Sequence, residues 1–278
     1  MSKIEVTSPF DGRVVGTVPY GSVKEVQTAL DLAQATFLDH KNALPTYKRV
    51  EILENVVKIM SSQIDELTKL CASEGGKPWV DSQVEVHRAI NGVKLAIEAL
   101  GTREGKQIAM GHTASSANRM AYTFKEPIGV VAAISAFNHP LNLAIHQVIP
   151  AIAVGCSVII KPATQTPMSA IRLVEILEEA GLPKGWAQAV VCDREGGELL
   201  ATSAKVNALT FIGSGKVGWY LNSKVAPGTR VALEHGGVAP VIVEADANID
   251  ELIPSIGKGG FYHAGQVCVS VQRVFVHE

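Results

Sequence analysis

Two hydrophobic rhythms divide the chain. The first twenty residues carry short β-like runs around a Pro-Phe-Asp-Gly turn. The segments "SVKEVQTALDLAQATFLDH" and "YKRVEILENVVKIMSSQIDELTKLCASEG" then place apolar residues three and four apart, the spacing of amphipathic helices. A third helical stretch covers about Val80 to Leu100. After it, "GKQIAMGHTASSANRMAYTFKEPIG" turns polar and alternating, which predicts a hairpin projecting from the domain.

From Gly129 the texture changes. The apolar runs "GVVAAISAF", "SVIIKPA", "AQAVVC", "VNALTFIGS" and "RVALEH" alternate with the helical segments "LNLAIHQVIPAIAVG", "SAIRLVEILEEAGLP", "GGELLATSA" and "GKVGWYLNSKVA". Short buried runs separated by helices mean βαβ units. The expected fold is therefore α/β, a Rossmann-like open parallel sheet with flanking helices on both faces.

Composition narrows the class. A chain of 278 residues holds one large or two ordinary domains, and 47% hydrophobic with 19% charged residues suits a globular enzyme. The formal charge of -2 supplies no basic field for nucleic acid and no polybasic membrane patch. The N-terminus "MSKIEVTSPFDGRVVG" lacks the layout of a signal peptide, and no window is apolar enough to span a bilayer, so a cytoplasmic protein is expected. Cys71, Cys156, Cys192 and Cys268 show no CxxC pairing, so neither a disulfide framework nor a metal site is expected.

Several polar residues follow apolar strands. In "TFIGSGKVG", Gly213, Gly215 and Gly218 match GxGxxG between a strand and a helix, the geometry that brings a pyrophosphate to a helix N-terminus. The match also suits a plain tight turn, and it lies after at least two βα units rather than on the first strand. Glu234 in "VALEHGG" fits a ribose ligand, a general base or a solvated strand-end acid. Asn138 in "SAFNHPLN" and Lys161 in "SVIIKPA" stand at the same kind of strand end. Cys268 in "GQVCVS" reads either as a small buried hydrophobe or as a nucleophile needing an environment that favours the thiolate. Their convergence on one sheet edge says more than any single residue.

In order along the chain, "SPFDGRVVG", "EGGKP", "KEPIGVVAAISAFNHPLN", "GCSVIIKPATQTP", "GLPKG", "NALTFIGSGKVG", "LEHGG" and "GQVC" resemble the N-terminal portion of the NAD(P)-dependent aldehyde dehydrogenases. The resemblance covers essentially the whole chain. It implies Cys268 as the nucleophile that forms a thiohemiacetal, with Asn138 and the Cys268 N–H as oxyanion donors, a type of pair whose loss costs about 3 to 4 kcal/mol. It implies Glu234 as the base that activates water against the thioester, giving a free acid rather than an acyl group passed to coenzyme A.

The same resemblance places Lys161 at the adenosine ribose. It lays Ile134, Ser135, Phe137, Ala163, Thr164, Phe211 and Val217 along the cofactor groove, with Gly213 and Ser214 beside the helix after "FIGS". The implied cofactor is NAD. NADP is also admitted, because Thr164 stands where NAD-preferring members carry a glutamate that repels a 2′-phosphate. The partner is a small aldehyde, and the full-length protein would be a homodimer or homotetramer, paired through the hairpin at about 106–126.

The sequence departs from the family pattern at three places. His139 stands where an aromatic or apolar residue is frequent, in a form similar to members acting on lactaldehyde or phosphonoacetaldehyde. It is a candidate for holding an anionic headgroup, as is Arg103, against the bland reading of a loop-shaping histidine and a surface arginine. His235, Val238 and Ala239 replace the usual residues after the base. Third, the chain stops at Glu278 where family members continue. Residues 1–235 are thus expected to form the NAD(P)-binding domain and 236–278 the incomplete start of a second α/β domain, in a piece of a longer protein. Two rival readings stand beside this one: a nucleotide-binding module without turnover, and an ordinary Rossmann dehydrogenase with no required thiol.

Overall fold

In the computed structural model, which describes residues 2–278, the chain opens with an antiparallel pair, β1 (Ser2–Thr7) and β2 (Val14–Tyr20). Helices α1 (Val23–Leu38), α2 (Thr46–Ser62), α3 (Ile64–Gly75) and α4 (Trp79–Gly101) follow. Ser22 and Glu25 form a reciprocal capping box at the start of α1. The long second helical segment breaks at Gln63, which has φ -118 and ψ 24. Just before the break, Ser62 Oγ donates back to the Ile59 carbonyl at 2.8 Å and competes with the helix ladder.

The projecting hairpin is present in reduced form. β3 (Gln107–Ile108) pairs antiparallel with β4 (Ala121–Tyr122) over two residues each. Met120, Tyr122 and Phe124 stand exposed on or beside it.

The expected parallel sheet then forms from β5 (Val130–Ile134), β6 (Ser157–Lys161), β7 (Ala187–Ala189), β8 (Val206–Gly213) and β9 (Arg230–His235). Their connections are α5 (Pro140–Val154), α6 (Met168–Glu179), α7 (Arg194–Thr202) and α8 (Gly215–Asn222). The order across the sheet is β7-β6-β5-β8-β9, a doubly wound arrangement with its switch point between β5 and β8. Period-two alternation decides which residues meet which helices. Val130 and Ala132 join Val26, Leu30 and Leu200 from α1 and α7, whereas Val131 and Ala133 join residues of α2 through α6, including Leu53, Val86, Ile145 and Leu173.

Beyond β9 the packing thins. β10 (Val241–Val243) pairs in parallel with β11 (Val274–Val276), and α9 (Ile249–Phe261) lies between them in sequence. No residue of α9 is buried, and Phe275 is 54% exposed. Among the described residues no helix is long and apolar enough to cross a membrane.

Two buried carboxylates finish helices that lack caps of their own. Neither α5 nor α6 has a side-chain bond from its N-cap residue. Glu85 on α4 instead accepts from the Leu141 and Asn142 N–H groups at 2.9 and 3.0 Å. Glu74 on α3 accepts from Met168 and Ser169 N–H at 2.7 and 2.9 Å, and from the Ser169 hydroxyl. These carboxylates meet the free N–H groups and positive dipole ends of two helices.

Burial pushes the Glu74 carboxyl up to about 7 despite those donors. Its pKa in the folded chain exceeds the ordinary 4.5, so its contribution to stability is full below that value and lost as pH rises through about 7. Relative to Glu74→Gln, the native protein is expected to gain about 2 to 3 kcal/mol between pH 8 and pH 5. Urea unfolding of both proteins at the two pH values measures this. A stability difference that does not change with pH would show an ordinary carboxylate.

Candidate active site

In a doubly wound sheet, ligands enter at the carboxyl ends of the strands beside the switch point. There Ile134 pairs with both Lys161 and Phe211, so the ends of β5, β6 and β8 lie side by side. Two cavities open along this edge. One, of about 470 Å³, is lined by Ile134, Lys161, Phe211 and Val217 together with Arg194, Gly197, Glu198, Lys216, Tyr220 and Leu221. The other, of about 420 Å³, is lined by Ser135, Phe137, Asn138, His139, Ala163, Gly213, Ser214, Glu234 and Cys268, among others.

The first cavity has the chemistry of a nucleotide groove. Lys161, Arg194 and Lys216 bring three cations against one carboxylate, Glu198. That carboxylate accepts from the Tyr220 hydroxyl at 2.7 Å. Burial pulls the Lys161 ammonium below the ordinary lysine value, and Cys192 and Asp193 oppose that shift. A Cβ on Gly197 would come within 3.1 Å of the Lys161 stem, so the glycine leaves the lysine room. In the second cavity Ser135 Oγ is buried without a partner, an open valence for a bound polar group.

Gly218 of "GSGKVG" has a packing role. A Cβ at Gly218 would meet His235 Nε2 at 2.3 Å and the Phe211 ring at 3.1 Å. The His235 ring sits edge-on to Trp219 and Phe211, with centroids 5.7 and 6.3 Å away. Gly218 therefore lets α8 pack closely over the end of β9. Ser214 caps α8 itself, its side chain accepting from the Val217 N–H at 3.4 Å.

The second cavity gathers the three residues expected to do chemistry. Glu234 stands near the end of β9, in register with Ile212. Cys268 lies in a turn held by Ser270, whose hydroxyl accepts from the Val267 N–H at 3.2 Å. Gly237 ties the two segments together, donating its N–H to the Cys268 carbonyl at 3.0 Å. The outcome is a Cys268 thiol 3.9 Å from Glu234 Oε1. Among the described residues the Cys268 N–H has no acceptor. Asn138 Nδ2 donates to the Gln266 carbonyl at 2.7 Å, two residues before the thiol, which leaves its second hydrogen free.

Two candidates lie elsewhere. Thr164 is exposed just past the groove and lines neither cavity. Arg103 is not brought to the site: it lines a separate cleft between α4 and α5 and donates to the Lys125 carbonyl at 2.9 Å, tethering the end of the hairpin.

Sequence reasoning passed over Arg194, Gln266, Lys77 and Glu85. The last two form a fully buried ion pair directly beneath Asn138 and His139. The signal for Glu85 was its phase, since it sits on the α4 face that buries Val86, Ala89 and Val93. Burial works against the Glu85 carboxylate, yet the Lys77 ammonium and the Asn142 N–H hold it below the ordinary carboxyl value. His263, packed beside the pair, is drawn down to about 4 by burial and by the Lys77 charge.

The sequence pattern described as the aldehyde dehydrogenase family matches residues 1–278. A 3-sulfolactaldehyde dehydrogenase of Priestia megaterium is 38% identical over 276 residues, covering 99% of this chain and 57% of that protein. A lactaldehyde dehydrogenase of Methanocaldococcus jannaschii is 36% identical, with 99% and 59% covered. Among solved structures, the NADP-dependent glyceraldehyde-3-phosphate dehydrogenase of Bacillus halodurans in complex with NADP superposes with a TM-score of 0.94 at 30% identity. That superposition covers 100% of this chain and 58% of that one. The chain thus spans somewhat more than half the length of the relatives it matches. With the pattern matched from end to end and the doubly wound sheet shared with solved members, the chain belongs to the aldehyde dehydrogenase family.

Proposed function

We propose that this chain supplies the nucleotide-binding domain and the nucleophile of an enzyme that oxidises a small polar aldehyde to its carboxylic acid with NAD(P). The observation that carries the reading is the Cys268 thiol, 3.9 Å from Glu234 Oε1, in one cavity with Asn138 at the switch point of the sheet. The thiol attacks the aldehyde carbon. The free Cys268 N–H and the remaining Asn138 N–H receive the oxyanion. Glu234 takes a proton from the water that cleaves the thioester.

The groove fits a dinucleotide. Its excess of cations, the room beside Lys161 and the unpartnered Ser135 hydroxyl suit a phosphate-bearing ligand, held by Lys161, Ser135, Gly213, Ser214 and Val217. When bound, the nicotinamide supplies the hydride acceptor of the oxidation. The aldehydes for which relatives are named, 3-sulfolactaldehyde, lactaldehyde and succinate semialdehyde, are small and each carries a polar or acidic group, and we take the substrate from that class. Residues 236–278 open the catalytic domain, and the exposed apolar hairpin at about 106–126 is the proposed surface for pairing in a homodimer or homotetramer.

Aldehyde-dependent reduction of NAD or NADP, followed over a panel of such aldehydes, tests the proposal. Cofactor binding with no reduction for any of them would favour a binding module instead. Cofactor choice gives a second test. Thr164 carries no negative charge at the position where the family resemblance puts the selecting glutamate, so NADP is expected to turn over. Thr164→Glu is expected to raise the KM for NADP about tenfold while leaving that for NAD within about twofold, a like-charge penalty near 1.4 kcal/mol. Equal effects on the two cofactors would remove Thr164 from the selection.

A further inference from the structure

The pair beneath the active-site loop is built with unusual completeness. α3 ends at Gly76, whose left-handed backbone at φ 60 reverses the chain, and Pro78 starts α4. The reversal sends Lys77 inward, where its side chain has no exposure. An ammonium has three protons and accepts nothing. Here all three are used: on Glu85 Oε2, on the Asn138 carbonyl at 3.2 Å and on His139 Nδ1 at 3.2 Å.

Because Lys77 can only donate, His139 Nδ1 must accept, and the ring proton sits on Nε2. The opposite arrangement, Nδ1–H toward Glu85 Oε2, spans 3.6 Å and would aim a proton at the ammonium. Among the described residues Nε2 has no protein partner, and it is not one of the enclosed, orphaned atoms. His139 lines the cavity that holds Asn138 and Cys268.

We infer that Lys77 is a positioning residue: it fixes His139 as the Nε2–H tautomer and pins the Asn138 backbone, so that an imidazole N–H and an amide N–H face the same cavity. Glu85 neutralises the ammonium and, through its other oxygen, caps α5. One buried unit thereby sets the loop, its tautomer and the helix that follows. The ligand read by Nε2–H is an aldehyde bearing an oxygen acceptor near its carbonyl. This deepens the oxidation reading and rests on it for the identity of the ligand, but the tautomer itself does not.

The test begins on the native chain with ¹⁵N-labelled histidine. Long-range proton–nitrogen NMR is recorded, with His139 signals assigned by their loss in His139→Gln. The expected spectrum shows a bare, hydrogen-bonded Nδ1 and a protonated Nε2. A protonated Nδ1 in the native chain overturns the inference without any further variant. The paired change Lys77→Met with Glu85→Gln, which avoids stranding a buried charge, is expected to give an averaged mixture of tautomers. An unchanged Nε2–H signature there would equally sink the assignment. In turnover the paired variant is expected to lose about tenfold or more in kcat/KM for the aldehyde, with the cofactor KM within about twofold. No turnover by the native chain would refute the oxidation reading alone, and the tautomer result would stand or fall separately.

Discussion

Replacement of Cys268 by alanine is expected to abolish aldehyde oxidation, by at least about 10,000-fold in kcat, while cofactor affinity changes by less than about twofold. The first effect corresponds to about 5 kcal/mol or more of barrier, the scale of losing a nucleophile that no neighbour replaces. The second follows from the small change, because alanine removes only the sulfur and leaves Lys161, Ser135, Gly213, Ser214 and Val217 in place to hold the cofactor. The thiols themselves allow an independent check. Cys71, Cys156 and Cys192 have no exposure, and burial further raises the Cys71 and Cys192 thiols above their ordinary value. Cys268 alone is partly open. One equivalent of an alkylating reagent should therefore label one thiol and remove activity in proportion. Activity that survives full labelling of Cys268, or survives the alanine variant, would favour an ordinary hydride-transferring dehydrogenase on the same sheet.

The sequence displayed the sheet because burial on both faces gives short apolar runs, and their regular alternation with longer helical segments marks them as strands. "VVAAI" is apolar throughout and "SVIIK" has an apolar centre between Ser157 and Lys161, and they became β5 and β6 with four of five residues buried in each. The strand ends were legible for the same reason, since Asn138, Lys161, Ser214 and Glu234 each interrupt or follow such a run. What the sequence could not show was contact across the fold. Lys77 lies in the turn between α3 and α4 and Glu85 on α4, and the reversal at Gly76 brings their charges together under Asn138. Arg103 presented the converse case: its charge suggested an anion site, but its place at the end of α4 directs it to the Lys125 carbonyl. GxGxxG stayed ambiguous for a local reason, because room for the His235 ring demands the same small residue at Gly218 as a pyrophosphate would.

Glu234→Gln is expected to separate the two halves of the reaction. The amide keeps the size of the carboxylate but cannot take a proton, so water attack on the thioester should slow by about 100- to 10,000-fold, the range of general-base assistance. Attack by the thiol and the first oxidation do not require that base if Cys268 reaches its thiolate through solvent, to which both side chains are open. Rapid mixing should then show a burst of reduced cofactor of one equivalent per active site, followed by a nearly flat phase. Hydroxylamine, a nucleophile that needs no base, should restart turnover by cleaving the accumulated thioester. The separation of 3.9 Å between Cys268 Sγ and Glu234 Oε1 gives this experiment its force, because the same carboxylate is close enough to deprotonate the thiol. Loss of the burst together with the steady-state rate, without rescue by hydroxylamine, would assign Glu234 to activation of Cys268. A preserved burst assigns it to water, and only that outcome makes a free carboxylic acid the product of this geometry.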